Sequence, residues 1–201
     1  MTNPRPDRMM TLDEYFAFEE ESDTRHEYVD GYAYAMCGGT SLHGQISMNI
    51  SAQLWHALRG GPCLVFHGDR RLAVARNVLV PDVMVICSRS SARALAESSP
   101  TLVVEVLSPS TERIDRVEKL RAFKSVSSLD AYLIVSQEER AVDAYLRTTR
   151  REWEHAFIEG DGAIELATIG VTLTLDQLYE GVDLPTAEQR LRLREEAAMY
   201  G

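Results

Sequence analysis

Lysine is nearly absent from this chain. Of 21 basic side chains only Lys119 and Lys124 are lysines; the others are arginines. Arginine suits forked contacts to carboxylate or phosphate, so a retained lysine marks a place where a compact ammonium is wanted. Cysteine is scarce too, with three residues at positions 37, 63 and 87. Their odd number and wide spacing argue against a Cys-based zinc site and against a disulfide framework. All three are expected as small buried side chains. No apolar run approaches the roughly 20 residues that span a bilayer. The opening residues, MTNPRPDRMM, lack the apolar core of a signal peptide. The expectation is a cytoplasmic protein with no membrane segment. Repeats, low-complexity tracts and long linkers are missing as well. The 201 residues, 45% hydrophobic and 26% charged, read as a single domain. Its core is expected over about 10–180, with a helical tail over 181–201.

The formal charge of −10 is unevenly spread: −6 falls on residues 1–30, −3 on 176–201 and only −1 on the remainder. A net acidic chain is a poor non-specific binder of nucleic acid. The near-neutral middle, with basic clusters at 112–124 and 140–151, leaves that partner open.

Thr11 and Glu14 form a capping box ahead of a helix reaching about Glu20. Asp30-Gly31 between aromatic, β-forming runs signals a two-residue hairpin. Leu42, Ile46, Ile50, Leu54 and Leu58 recur every four residues up to Gly60-Gly61, which is an amphipathic helix. Strands are expected at about 63–67 and 71–75, joined by a turn at His67-Gly68-Asp69. Val83–Cys87 and Leu102–Leu107 are continuous apolar runs, as in strands covered on both faces. The SPST stretch then caps a helix over about 112–126. Strands at about 131–136, 141–147, 152–158 and 163–168 follow, and a short helix lies near Leu175–Tyr179. Such mixing of helices and strands gives an α/β domain.

Glu105 lies inside TLVVEVL, a segment apolar enough to be buried. An ionised carboxylate there is costly unless it is paired, hydrogen-bonded or bound to a metal. Asp82 opens the neighbouring apolar strand in VPDVMVIC. Two adjacent strands presenting one carboxylate each at one sheet edge make a ligand pair suited to Mg²⁺. Lys119 is the candidate ammonium. On an α-helical wheel, however, it and Asp115 fall away from the Ile114, Val117, Leu120 stripe, which predicts an exposed i, i+4 ion pair.

These blocks together resemble a known family. RHEYVDGYAYAM, His43 at a helix start, VPDVMVI, PTLVVEVLSPST and Asp115-xxx-Lys119 are similar to a large bacterial family of predicted restriction endonucleases, abundant in cyanobacteria. That family belongs to the PD-(D/E)XK nuclease superfamily. The resemblance covers about residues 10–150. It implies a restriction-endonuclease-like core, a mixed central β-sheet flanked by helices, with an N-terminal helix and β-hairpin. It further implies a metal-dependent DNA endonuclease using Mg²⁺, or Mn²⁺ as substitute. Asp82 and Glu105 would hold the metal, with Glu27 as an added ligand; Lys119 and His43 would complete the catalytic set. Arg113, Arg116 and Arg121 would meet DNA phosphates, and cutting both strands implies a homodimer. The chain departs from the superfamily pattern at Leu107, where the simplest motif has its lysine, and from the family pattern at Phe123 and Ser136. Those departures keep a rival in view: a catalytically silent module of the same fold that binds nucleic acid or a protein. A two-carboxylate site also leaves room for a hydrolase of some other substrate.

Overall fold

The computed structural model describes residues 8–36, 38–88, 94–108, 112–186 and 188–189. Helix α1 (Leu12–Glu21) starts at the expected capping box, Thr11 accepting from the Glu14 amide and Glu14 from the Thr11 amide. The hairpin β1 (His26–Val29) and β2 (Tyr32–Ala35) turns through Asp30 at φ 48° and Gly31 at φ 92°. Two successive positive φ angles match the strand twist, which is why Asp-Gly stands there. Helix α2 (Ser41–Leu58) follows, capped by the Thr40 hydroxyl.

The next strands correct the expectation. β3 (Leu64–His67) and β4 (Leu72–Val74) do not form a hairpin; they lie in different sheets. A strand missed in the sequence, β5 (Asn77–Leu79), pairs antiparallel with both β4 and β1, and the four-stranded order is β2-β1-β5-β4. β6 (Val83–Ile86) and β7 (Leu102–Val106) run antiparallel as interior strands of a second sheet. A π-helical stretch, Ile114–Lys119, passes into α3 (Leu120–Lys124), and β8 (Ala131–Val135) then pairs parallel with β7. β9 (Ala141–Arg147) and β10 (Trp153–Glu159) complete a six-stranded sheet of order β10-β9-β8-β7-β6-β3. β11 (Ala163–Leu166) pairs with a second unforeseen strand, β12 (Val171–Thr174), before α4 (Leu175–Leu178). The expected mixed sheet flanked by helices is therefore present. The expected tail falls largely outside the described residues.

Strand parity sorts the core. Val83, Val85, Leu102, Val104 and Val106 face one side and pack on Ile46, Ile50 and Leu54 of α2. Met84, Ile86 and Val103 face the other and pack on Val29, Leu79 and Phe123 from the hairpin sheet and α3. Each of these fully buried side chains contributes about 1.5–3 kcal/mol. Both faces are covered, which explains the unbroken apolar runs of β6 and β7.

The cysteine expectation needs correction. Cys63 and Cys87 sit side by side at the end of the antiparallel β3–β6 ladder and form a disulfide. Their separation of 24 in sequence hid a pairing that only the strand register creates. Closing a loop of that size stabilises by about 3 kcal/mol in the chain-entropy picture. Cys37 lies outside the described residues.

Candidate active site

The β6–β7 register pairs Val83 with Val104, so one step outward Asp82 stands opposite Glu105. Asp82 has the parity of Met84 and Ile86, and Glu105 that of Val103, so both belong to the face covered by the hairpin sheet and the π-helical segment. The two are tied through the backbone. Asp82 Oδ2 accepts from the Val106 amide at 2.7 Å, and Glu105 Oε2 from the Asp82 amide at 3.4 Å.

Lys119 enters from the π-helical stretch. Its Nζ lies 2.9 Å from Glu105 Oε1, 2.9 Å from Glu27 Oε2 and 3.1 Å from Asp115 Oδ1. Glu27, brought by β1, also accepts from the Val80 amide at 2.8 Å. Thus both Glu27 oxygens are engaged. All four side chains are buried, which overturns the expected exposed Asp115–Lys119 pair. In a π-helix the i→i+5 bonding widens the turn, so Ile114, Asp115 and Lys119 share one face and Val117 points to solvent. The α-helical wheel had the wrong pitch. Tyr132 on β8, which the sequence reading missed, donates its hydroxyl to the Asp115 carbonyl at 3.1 Å and braces this stretch.

His43, in the first turn of α2, reaches Asp82 Oδ2 through Nε2 at 3.1 Å. Gly39 lies flat against it: a Cβ there would sit 2.7 Å from His43 Nδ1. Thr40, beside Gly39, donates to Gln137 Oε1 at 2.6 Å, tying this loop to the segment between β8 and β9. Asp82, Glu105, Lys119, His43, Glu27 and Asp115 all line one cavity of about 220 Å³.

Electrostatics follow from burial. Removal from water pushes the Glu105 carboxyl well above the usual range; Lys119 counters this, while Asp115, Asp82 and Glu27 add to it. Burial likewise raises Glu27, against the pull of Lys119. Burial works to lower Lys119, but Asp115, Glu105 and Glu27 outweigh it and hold the ammonium charged. For His43 burial is again opposed, by the hydrogen bond and charge of Asp82, and the net shift is upward.

Four carboxylates thus converge on one ammonium and one imidazole. Asp115 Oδ1 is buried and receives no hydrogen bond, only the ionic contact. A hard divalent cation fits this donor chemistry and this surplus of negative charge. Among the described residues no three His, Cys, Asp or Glu side chains form a ready-made cage. Mg²⁺ does not need one, because it is usually held by one or two carboxylates and keeps several waters.

The three expected phosphate contacts stand apart from the cavity. Arg113 pairs with Glu118, Arg116 with Glu112 and Asp143, and Arg121 with Asp30.

Residues 12–176 match the family Uma2, described as "Putative restriction endonuclease". The chain belongs to that family. Its likeness extends to two proteins of Synechocystis sp. (strain ATCC 27184 / PCC 6803 / Kazusa). Slr1290 is 35% identical over 86% of this chain and 93% of its own length. Sll1609 is 27% identical over 78% and 91%. The fold is also similar to a solved structure from Anabaena variabilis ATCC 29413, titled a "putative nuclease belonging to DUF820". That match has a TM-score of 0.69 at 19% identity and covers 85% of this chain and 97% of the other. Membership in Uma2 supports a nuclease-like role, and the Anabaena structure supports the nuclease fold. No helix among the described residues is long and apolar enough to cross a membrane.

Proposed function

We propose that this chain is a Mg²⁺-dependent DNA endonuclease, with Mn²⁺ as a working substitute. One observation carries the reading: Asp82 and Glu105 stand opposite each other at the end of the β6–β7 ladder, with the Lys119 ammonium on Glu105. Asp82 and Glu105 would hold the cation. When bound, it supplies Lewis acidity toward the phosphodiester and offsets charge on the leaving oxygen. Lys119, kept protonated by its carboxylates, donates hydrogen bonds to a phosphate oxygen or the attacking water. His43, fixed by Asp82 at the cavity edge, orients that water. Glu27 was expected as a further ligand; its engagement by Val80 and Lys119 supports a role in anchoring the lysine instead.

Arg113 and Arg121 have exposed side chains, each in a surface ion pair worth little. Such a pair can exchange its carboxylate for a DNA phosphate, which positions the duplex without reading sequence. Arg116, held by two acids, is the least free to do so. Cutting both strands of a duplex calls for two such sites, hence a homodimer working in the cytoplasm.

The silent-module reading gains from one observation: Lys119 is already committed to three carboxylates. Plasmid cleavage by the purified chain separates the two readings. Cleavage that needs Mg²⁺ or Mn²⁺, stops with EDTA and is lost in Glu105→Ala supports the nuclease. No cleavage and no metal binding by calorimetry would hand the case to the silent module.

A further inference from the structure

The outward face of α2 is unlike the rest of the surface. From Gly38 to Gly68 the only formally charged side chain is Arg59, in a chain where 26% of residues are charged. A solvated helix face normally carries charge opposite its apolar stripe. Here the inward stripe, Ile46, Ile50 and Leu54, is fully buried against the sheet. The outward side exposes a second stripe: Gln45, Met48, Ala52, Trp55 and Arg59. Met48 is 52% and Trp55 58% exposed, and Leu64 on the adjacent edge strand β3 is 57% exposed. The steps of three and four residues along this stripe are those of a helix–helix seam.

The order of sizes says what the seam accepts. Ala52, the small residue, stands at the centre, with Met48 on one side and Trp55 on the other. A two-fold axis at Ala52 would run a second α2 antiparallel to the first. Ala52 then meets Ala52 of the other copy, each Trp55 meets a Met48, and each Arg59 meets a Gln45. The pattern is self-complementary, as an isologous contact requires. Charge points the same way. Two chains of net charge −10 repel each other, mainly through their acidic end segments, and this face adds no acid. Its one cation already lies over the Trp55 ring, 5.9 Å from the centroid.

We propose that α2 is the homodimer surface of this protein, the occupant being a second copy of the chain docked antiparallel about Ala52. This inference stands on the surface alone and holds whether or not the site cleaves DNA.

Light scattering on the full-length chain tests it by mass. The expected result is twice the mass of one chain at micromolar concentration, and return to the monomer in Ala52→Glu, which sets two carboxylates against each other on the axis. A short bis-maleimide should link Ala52→Cys chains to each other but not Ala57→Cys chains, Ala57 being exposed and off the seam. This arm decides the matter if Ala52→Glu fails to fold. A monomer at every concentration overturns the proposal. So does a dimer that survives Ala52→Glu in a folded chain, or equal cross-linking of the two cysteine variants.

Discussion

Asp82 and Glu105 face each other across the antiparallel β6–β7 ladder, and each carboxylate accepts from an amide of the other's strand. Function and stability pull in opposite directions at this pair. Burial and three neighbouring carboxylates make the ionised Glu105 costly, and Lys119 only partly offsets them. Glu105→Gln should therefore raise the melting temperature while removing metal-dependent cleavage, a trade-off common where a site is strained. Loss of a metal contact worth about 4 kcal/mol in the transition state corresponds to about a thousandfold in rate. Calorimetry with Mn²⁺ and thermal melts of both forms check this. Added Mg²⁺ should stabilise the wild-type chain and leave the variant unmoved; a variant still stabilised by Mg²⁺ would remove Glu105 from the ligand set.

Lys119 carries the opposite expectation. It pairs with three buried carboxylates at once. Removing one partner of a buried ionic group costs about 3–5 kcal/mol, because charge is left uncompensated. Lys119→Met should lower urea stability by that order. Lys119→Arg should not rescue it, since the larger planar guanidinium does not fit a point-like contact to three acids. Stability within about 1 kcal/mol of wild type in Lys119→Met would contradict the buried network.

Much of the architecture was legible because it rests on local signals. The Thr11–Glu14 capping box, the Asp30-Gly31 turn and the four-residue spacing of α2 each determine a conformation by themselves. The carboxylate pair was legible for a different reason: an acid inside TLVVEVL has few ways to exist. What escaped were features that only register or pitch creates. Cys63 and Cys87 meet because β3 pairs with β6, which no spacing announces. Asp115 and Lys119 turn inward because the segment winds as a π-helix, and a wheel drawn at α-helical pitch puts them on the wrong side. Tyr132 and Asn77 bond to the backbone of Asp115 and Asp30, 17 and 47 residues away in sequence, so those hydrogen bonds had no local trace.

Alkaline pH provides a separate check on the packing of α1. Burial pushes the Tyr15 phenol up to about 12 from an ordinary value of 10. Its hydroxyl donates to the His26 carbonyl at 2.8 Å, which favours the neutral form further. The folded state then keeps the proton after the unfolded chain has released it. Stability is full below pH 10 and falls as pH rises toward 12. Tyr132 and Tyr179, also raised by burial, act in the same direction. Urea titrations across this window should show a shallower decline for Tyr15→Phe than for the wild-type chain. Equal slopes would mean that the phenol titrates as it does in the unfolded chain.

Gly39 lies outside every regular element, yet it controls a candidate catalytic group. The missing side chain lets the loop before α2 close on the imidazole, and a Cβ would come within 2.7 Å of His43 Nδ1 and 3.0 Å of Cγ. The ring is the only part able to yield, since Thr40 holds the loop to Gln137 and caps the helix. Gly39→Ala should therefore turn His43 away from Asp82 and leave the fold intact. If His43 orients the attacking water, cleavage should fall about a hundredfold, the lower end of the range for a positioned acid–base group. His43→Ala should fall by a similar factor, and the double variant by no more than either alone, because both changes remove the same contact. The His43 ring resonances by NMR distinguish this from general damage. In Gly39→Ala the imidazole should titrate lower than in the wild-type chain, having lost the Asp82 hydrogen bond that raises it. A Gly39→Ala chain with full activity and an unshifted imidazole would show that the ring has room the close approach denies.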